Sequence, residues 1–221
     1  MREKMTEKEH FDIIFLRHGE SVGNAESRWQ GQADYPLTKK GRHQARALAE
    51  RWLDEKRTFD IIISSPLSRA SETAKIIAVA LNLPLENDPI WAERYIGEVA
   101  GLTNKEVRQR FPERGFTNPY SAIIENEGEG DWELYLRAGR ALQGLLRREP
   151  GKYLVVSHGG LLNQVMYAVV GTTPHANSSG PRFRFNNTGF AHLVYYPDSH
   201  RWQIDVINDR VHWNGKDLTE P

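Results

Sequence analysis

Two arginines and two histidines stand at the ends of short apolar runs. Arg17-His18 follows Ile13-Ile14-Phe15-Leu16, Arg69 closes Ser65-Pro66-Leu67-Ser68-Arg69 after the run at residues 59–63, and His158 follows Tyr153-Leu154-Val155-Val156. Paired guanidiniums suit bidentate recognition of a phosphate or a carboxylate. An imidazole between them is an available nucleophile. If its Nδ1–H donates to a backbone carbonyl, Nε2 is left unprotonated and free to attack phosphorus.

Each piece has a plainer reading. A strand-end histidine on its own is more often a satisfied structural residue, and a lone surface arginine is usually solvated. Zinc ligation by His18, His158 and Glu93 is the sharper rival. Two fixed arginines would repel a dication, however, and neither H-x-H nor H-E-x-x-H spacing occurs, so no metal is expected. The phosphate signatures G-x-x-x-x-G-K-[ST] and G-x-G-x-x-G are missing, as is a D-x-D-x-T segment. Without cysteine there is no disulfide, thiolate metal site or cysteine nucleophile.

To act together, these groups need elements that deliver them to one place. Ile13 to Leu16 is too short for a helix and reads as a strand buried on both faces, with Arg17 and His18 at its carboxyl end. Ligands of open α/β sheets bind at that edge. Residues 20–36 read as a loop. Thr38 reads as the cap of a helix over residues 39–56, whose apolar positions Ala45, Leu48, Ala49, Trp52 and Leu53 recur at helical spacing. Residues 59–63 form a second strand, and Ser65 and Pro66 are suited to cap and start a helix reaching about Leu81.

Thr103 and Glu106 make a capping box for a short helix to Phe111. Residues 112–130 are irregular and read as a lid or binding loop. Asp131 reads as the cap of a helix through Arg148. Residues 153–156 are the third strand, and 161–170 an apolar helix closed by Gly171. Residues 172–187 read as a second insertion, in which Phe183 and Phe185 alternate with Arg182 and Arg184 as in an edge strand. Runs at 190–196 and 201–207 form a hairpin. The expected fold is α/β: a three-layer sandwich with a mostly parallel central sheet flanked by helices, a C-terminal antiparallel hairpin and lid insertions. One domain over 221 residues is expected, with flexible tails at 1–10 and 209–221.

Lys plus Arg and Asp plus Glu are balanced at 29 each, so no global field draws the chain to nucleic acid or anionic membrane, and any anion site must be local. Residues 1–10 are charged, and no later run approaches the roughly 20 apolar residues of a membrane span. The expectation is a soluble, cytoplasmic protein.

Taken together, the sequence resembles the histidine phosphatase superfamily, in its phosphoglycerate-mutase-like branch. The likeness lies in Arg17-His18-Gly19-Glu20, in Gln30-Gly31 through Pro36-Leu37-Thr38 and Gly41, and in Ser65-Pro66-Leu67-Ser68-Arg69-Ala70 with Thr73-Ala74. It continues in Glu93 with Gly97, and in Val156-Ser157-His158-Gly159-Gly160. The resemblance implies that His18 becomes phosphohistidine while Arg17, Arg69 and His158 hold phosphoryl oxygens. It makes Asn24 and the Gly159 N–H auxiliary donors, and places Gln30 and Gly31 in the substrate-binding stretch. Glu93 would protonate the departing alcohol and then activate water. It implies no cofactor, a small phosphorylated metabolite as partner, and a monomer or homodimer.

One position departs from the pattern. The family often carries a further glutamate before the glycine that aligns with Gly101, and this chain has Ala100. Glu93 therefore stands as the acid, with Glu98 as understudy. Mutases of the family carry an arginine pair in a longer insertion, whereas residues 112–130 hold Arg114 alone, beside Glu125, Glu127 and Glu129. That favours a phosphatase over the alternatives, a cofactor-dependent phosphoglycerate mutase or a non-catalytic phosphate-binding protein.

Overall fold

The computed structural model describes residues 10–112, 118–122 and 127–213. Expectations placed on residues 1–9 and 214–221, on parts of the 112–130 lid, and on Arg114 and Glu125 lie outside them. Strands β1 (Phe11–Arg17), β2 (Ile61–Ser64), β3 (Leu85–Asn87), β4 (Lys152–Ser157), β5 (Phe190–Tyr196) and β6 (Arg201–Asp209) form one sheet in the order β3-β2-β4-β1-β5-β6. The first four are parallel, and β5 and β6 form the antiparallel C-terminal hairpin. The helices are α1 (Val22–Ala25), α2 (Lys39–Asp54), α3 (Ser68–Leu81), α4 (Asn104–Arg110), α5 (Asp131–Leu146) and α6 (Gly159–Val170).

Successive side chains of a strand point to opposite faces, and β1 shows how this builds three layers. Phe11, Ile13 and Phe15 join Leu134, Ala138 and Leu142 of α5 and Leu161, Val165 and Met166 of α6 in one core. Ile14 and Leu16 join Leu48, Ala49 and Trp52 of α2 and Ala70, Ala74 and Ile77 of α3 in another. A strand buried on both faces has no polar alternation, which is why residues 13–16 read as continuously apolar.

Local chemistry sets the ends of the helices. The Thr38 side chain accepts from the Gly41 N–H, a cap worth about 1 kcal/mol. Thr103 and Glu106 form the expected capping box on α4. Gly171, at φ 69°, closes α6 in the left-handed conformation.

Several expectations are corrected. Residues 20–36 contain α1, capped by Ser21. The strand at 85–87 had no sequence signal, since Leu85-Glu86-Asn87 has one apolar residue and borrows its pairing from β2. Helix α3 begins at Ser68 with Leu67 at its cap position, not with Ser65 and Pro66. Asp131 is the first residue of α5, preceded by Gly130, whose N–H is held by Glu133.

Phe183 and Phe185 are not in a strand. The backbone around them bonds to side chains instead, the Phe183 N–H to Asn163, the Phe185 carbonyl to Arg17 and the Asn186 N–H to Asn208. The expected tail boundary at 209 falls inside β6, where Asp209 accepts a two-pronged ion pair from Arg51 at 2.7 and 2.9 Å.

Candidate active site

Register brings the expected residues together. In the β1·β4 pairing Arg17 lies opposite Ser157, so the next residues, His18 and His158, leave the sheet side by side, with ring centroids 5.1 Å apart. In the β2·β4 pairing Ser64 lies opposite Val156, which brings Ser65 alongside, its N–H donating to the Val156 carbonyl at 3.0 Å. Three adjacent parallel strands therefore end at one point. Arg69 arrives from the first turn of α3, itself 1 % exposed.

His18 is held in a defined tautomer. Its Nδ1 lies 2.6 Å from the Gly19 carbonyl, an acceptor only, so Nδ1 carries the proton and Nε2 is the bare nitrogen. The loop around it is pinned. The Gly19 N–H donates to Thr73 Oγ1 at 3.0 Å, and the His18 carbonyl accepts from the Asn187 amide and the Thr188 N–H, both at 3.2 Å. Burial, with Arg17 and Arg69 adding their charges, pushes His18 well below the ordinary imidazole value of 6.5. His158 shifts the same way through burial and the charges of His18, Arg69 and Arg17. Both rings are neutral near pH 7.

Around them lie buried polar atoms with no partner among the described residues. Arg17 gives Nη1 to the Phe185 carbonyl at 2.7 Å, and Arg69 gives Nη1 to Ala33 and Nη2 to Gly31 at 2.9 and 2.7 Å, but the Nε of each is unsatisfied. His158 Nε2 lies 2.8 Å from Ser65 Oγ, and its Nδ1 is unsatisfied. Buried donors without acceptors are costly and rare. Two guanidinium donors and one imidazole nitrogen beside a bare His18 Nε2 form a receptacle for an oxyanion.

Glu93 closes one side. Its carboxylate accepts from the Gly160 and Leu161 N–H groups at 2.9 and 3.1 Å, at the start of α6, and from the Arg94 N–H at 2.8 Å. An added Cβ at Gly160 would lie 2.4 Å from Glu93 Oε1, so the close approach needs glycine there. The charge of Glu93 is felt by both guanidiniums, raising their proton affinity against the larger lowering by burial. The Glu93 backbone is clamped by Arg137, which donates to the carbonyls of Ile90, Ala92 and Glu93 and pairs with Glu129. Glu98 is exposed, and its N–H bonds to Glu127. Among the described residues no group of three or more acidic or histidine side chains could hold a metal ion.

The other expected contacts also take part in the framework of the site. Asn24 Oδ1 accepts from the Ser21 N–H and the Asn187 amide, which ties α1 to the loop that holds the His18 carbonyl. Gln30 accepts from the Ser21 hydroxyl at 2.7 Å. Gly31 acts through its carbonyl on Arg69, and its φ of 50°, with Ile96 where a Cβ would stand, requires glycine. Gly159 starts α6 beside Arg17. Sequence reasoning missed Ser65 as the His158 partner, Asn187 and Thr188 as props of His18, and Arg137. The pair Asn187-Thr188 before a strand was the available signal, a short polar stretch at the sheet edge.

The chain matches the family model for the histidine phosphatase superfamily, branch 1, over residues 13–210. It belongs to that superfamily. A relative named probable phosphoglycerate mutase GpmB, from Yersinia enterocolitica, is 34% identical over 217 residues, 94% of this chain and 97% of its own. The histidine phosphatase fold is shared with Bacillus stearothermophilus YhfR, at TM-score 0.79 and 30% identity over 91% of this chain and 98% of that one. It is shared as well with a mycobacterial glucosyl-3-phosphoglycerate phosphatase in complex with VO3, at TM-score 0.75 and 29% identity over 90% and 98%. Among the described residues no helix is long and apolar enough to cross a membrane.

Proposed function

We propose that this member of the superfamily is a metal-independent phosphomonoester hydrolase working through a phosphohistidine on His18. The observation that carries the reading is the bare Nε2 of His18 beside the unsatisfied Arg17 Nε, Arg69 Nε and His158 Nδ1. A phosphoryl group seated there would place its oxygens on those donors. Catalysis of phosphoryl transfer is chiefly positioning and charge stabilisation, and this arrangement supplies both before substrate arrives.

In the first step His18 Nε2 forms a bond to phosphorus as the bond from phosphorus to the alcohol oxygen breaks. The substrate binds as its monoanion, and its proton passes through the Glu93 carboxylate to the departing oxygen. In the second step water attacks phosphorus, passes a proton to the Glu93 carboxylate, and the bond from phosphorus to nitrogen breaks to release inorganic phosphate. The arginines remain charged throughout and take no part in proton transfer.

The mutase reading is favoured by the name of the GpmB relative. The two are separated by what becomes of the phosphoryl group. With 3-phosphoglycerate and a chelator present, the hydrolase releases inorganic phosphate in stoichiometric amount with glycerate. Accumulation of 2-phosphoglycerate with little free phosphate would establish the mutase, and loss of activity in chelator would establish a metal enzyme.

A further inference from the structure

A cavity of about 510 Å³ opens beside the phosphoryl receptacle, sharing Arg17 with it and bordered by Gly159, the residue that follows His158. One wall is a face of α6, where Gly160, Asn163, Gln164 and Tyr167 recur at helical spacing. The opposite wall is residues 182–185. This stretch is fixed in place. The Phe183 N–H donates to Asn163, Tyr167 donates to the Pro181 carbonyl, and the Phe185 carbonyl holds Arg17. Phe185 is buried and Phe183 packs on the core, so Arg182 and Arg184, both exposed, take the alternate positions.

The charge of this cavity is unbalanced. Among the described residues it is lined by four arginines and one acidic residue, Asp131. Arg17 serves the phosphoryl receptacle and Arg94 is paired with Asp131. Arg182 and Arg184 remain, with neither a hydrogen bond nor an ion pair to any described residue. Set deeper is Gln164, 4 % exposed, whose amide oxygen is buried without a partner. A buried unpaired amide is an open demand for a ligand donor.

We propose that this cavity receives the alcohol half of the phosphomonoester, and that Arg182 and Arg184 select alcohols carrying a second anionic group. Gln164 then accepts from a hydroxyl or amino group on the same alcohol. The substrate class is a small phosphorylated polar acid or bisphosphate rather than a neutral or apolar alkyl phosphate. The inference rests on the phosphomonoesterase reading for its first half, since the cavity is adjacent to the receptacle assigned there.

The test uses a matched series: propyl phosphate, the phosphate ester of 3-hydroxypropionate, and propane-1,3-diol bisphosphate. The wild-type kcat/KM should favour an anionic member over propyl phosphate by about tenfold, the scale of a partly screened charge contact. Preference for the carboxylate or for the second phosphate identifies which anion is taken. In the double variant Arg182→Gln, Arg184→Gln the ratio should fall towards one, whatever the absolute rates. A wild-type ratio near one, or a preference that survives the double substitution, overturns the proposal.

Turnover of nitrophenyl phosphate in parallel reports on the hydrolase reading separately. Should that fail, calorimetric affinities for 4-phosphonobutyrate against butylphosphonate give the same ratio without chemistry. The same collapse in the double variant supports the anion subsite, and an unchanged ratio overturns it.

Discussion

His158 Nε2 lies 2.8 Å from the hydroxyl of Ser65, and that hydroxyl already accepts a bond from the Leu67 N–H at 3.3 Å. No other acceptor for the serine proton is present among the described residues, so it is directed to His158 Nε2, which leaves the His158 proton on Nδ1, the atom that is buried without a partner among them. A serine two strands from the nucleophile thus decides whether His158 faces the phosphoryl group as a donor or as an acceptor.

Ser65→Ala should lower kcat/KM about tenfold, the scale of one buried hydrogen bond. Nitrogen NMR of the His158 ring distinguishes positioning from a general loss of packing. The wild-type ring should carry its proton on Nδ1, and the variant should show mixed tautomers. Unchanged kinetics and an unchanged tautomer would remove Ser65 from the account.

Glu93→Gln should slow the phosphorylation burst strongly for alkyl phosphates and much less for nitrophenyl phosphate, because a stabilised aryloxide departs without help from an acid. Steady-state rates fall for both, since the same residue is proposed to activate water in the second step. Equal slowing of both bursts, or the same selectivity in Glu98→Gln, would move the proton donor elsewhere.

Three histidines give stability a defined pH dependence. His18 and His158 lie well below 6.5 through burial, and His212 is pushed to about 4 by burial and by Arg51. A histidine with a depressed folded value binds its proton in the unfolded chain first. Its stabilising contribution is present above the unfolded value and is lost as pH falls below it. Unfolding free energy should fall from pH about 6.5 downward, and His212→Gln should reduce that slope between about 6.5 and 4 by one proton, about 1.4 kcal/mol per pH unit. Urea titrations at several pH values measure it, and a slope unaffected by the substitution would contradict it.

The sequence made the strand ends legible because β1, β2 and β4 are buried on both faces. Continuous apolar runs that stop at Arg17-His18, Ser65 and His158 mark the ligand edge without any knowledge of register. What it did not convey was who holds whom. Ser65 read as a helix cap because serine followed by proline is a cap signal, yet α3 starts at Ser68 and Ser65 turns to His158. Asn24 read as a substrate contact, and its side chain also ties α1 to the Asn187 loop. These are pairings between residues far apart in the chain, set by side-chain direction rather than by local pattern. Residues 182–185 alternate as a strand does, but the chain there is held by Asn163 and Arg17, which no periodicity reveals.

The central claim is that His18 Nε2 is the atom that takes the phosphoryl group. A rapid acid-free quench of enzyme with labelled substrate, followed by peptide mapping, tests it most directly. The account predicts an acid-labile, base-stable adduct on His18 that forms in the burst, decays with turnover and vanishes in His18→Ala along with activity. Label on His158, or turnover that persists in His18→Ala with no adduct, would contradict it.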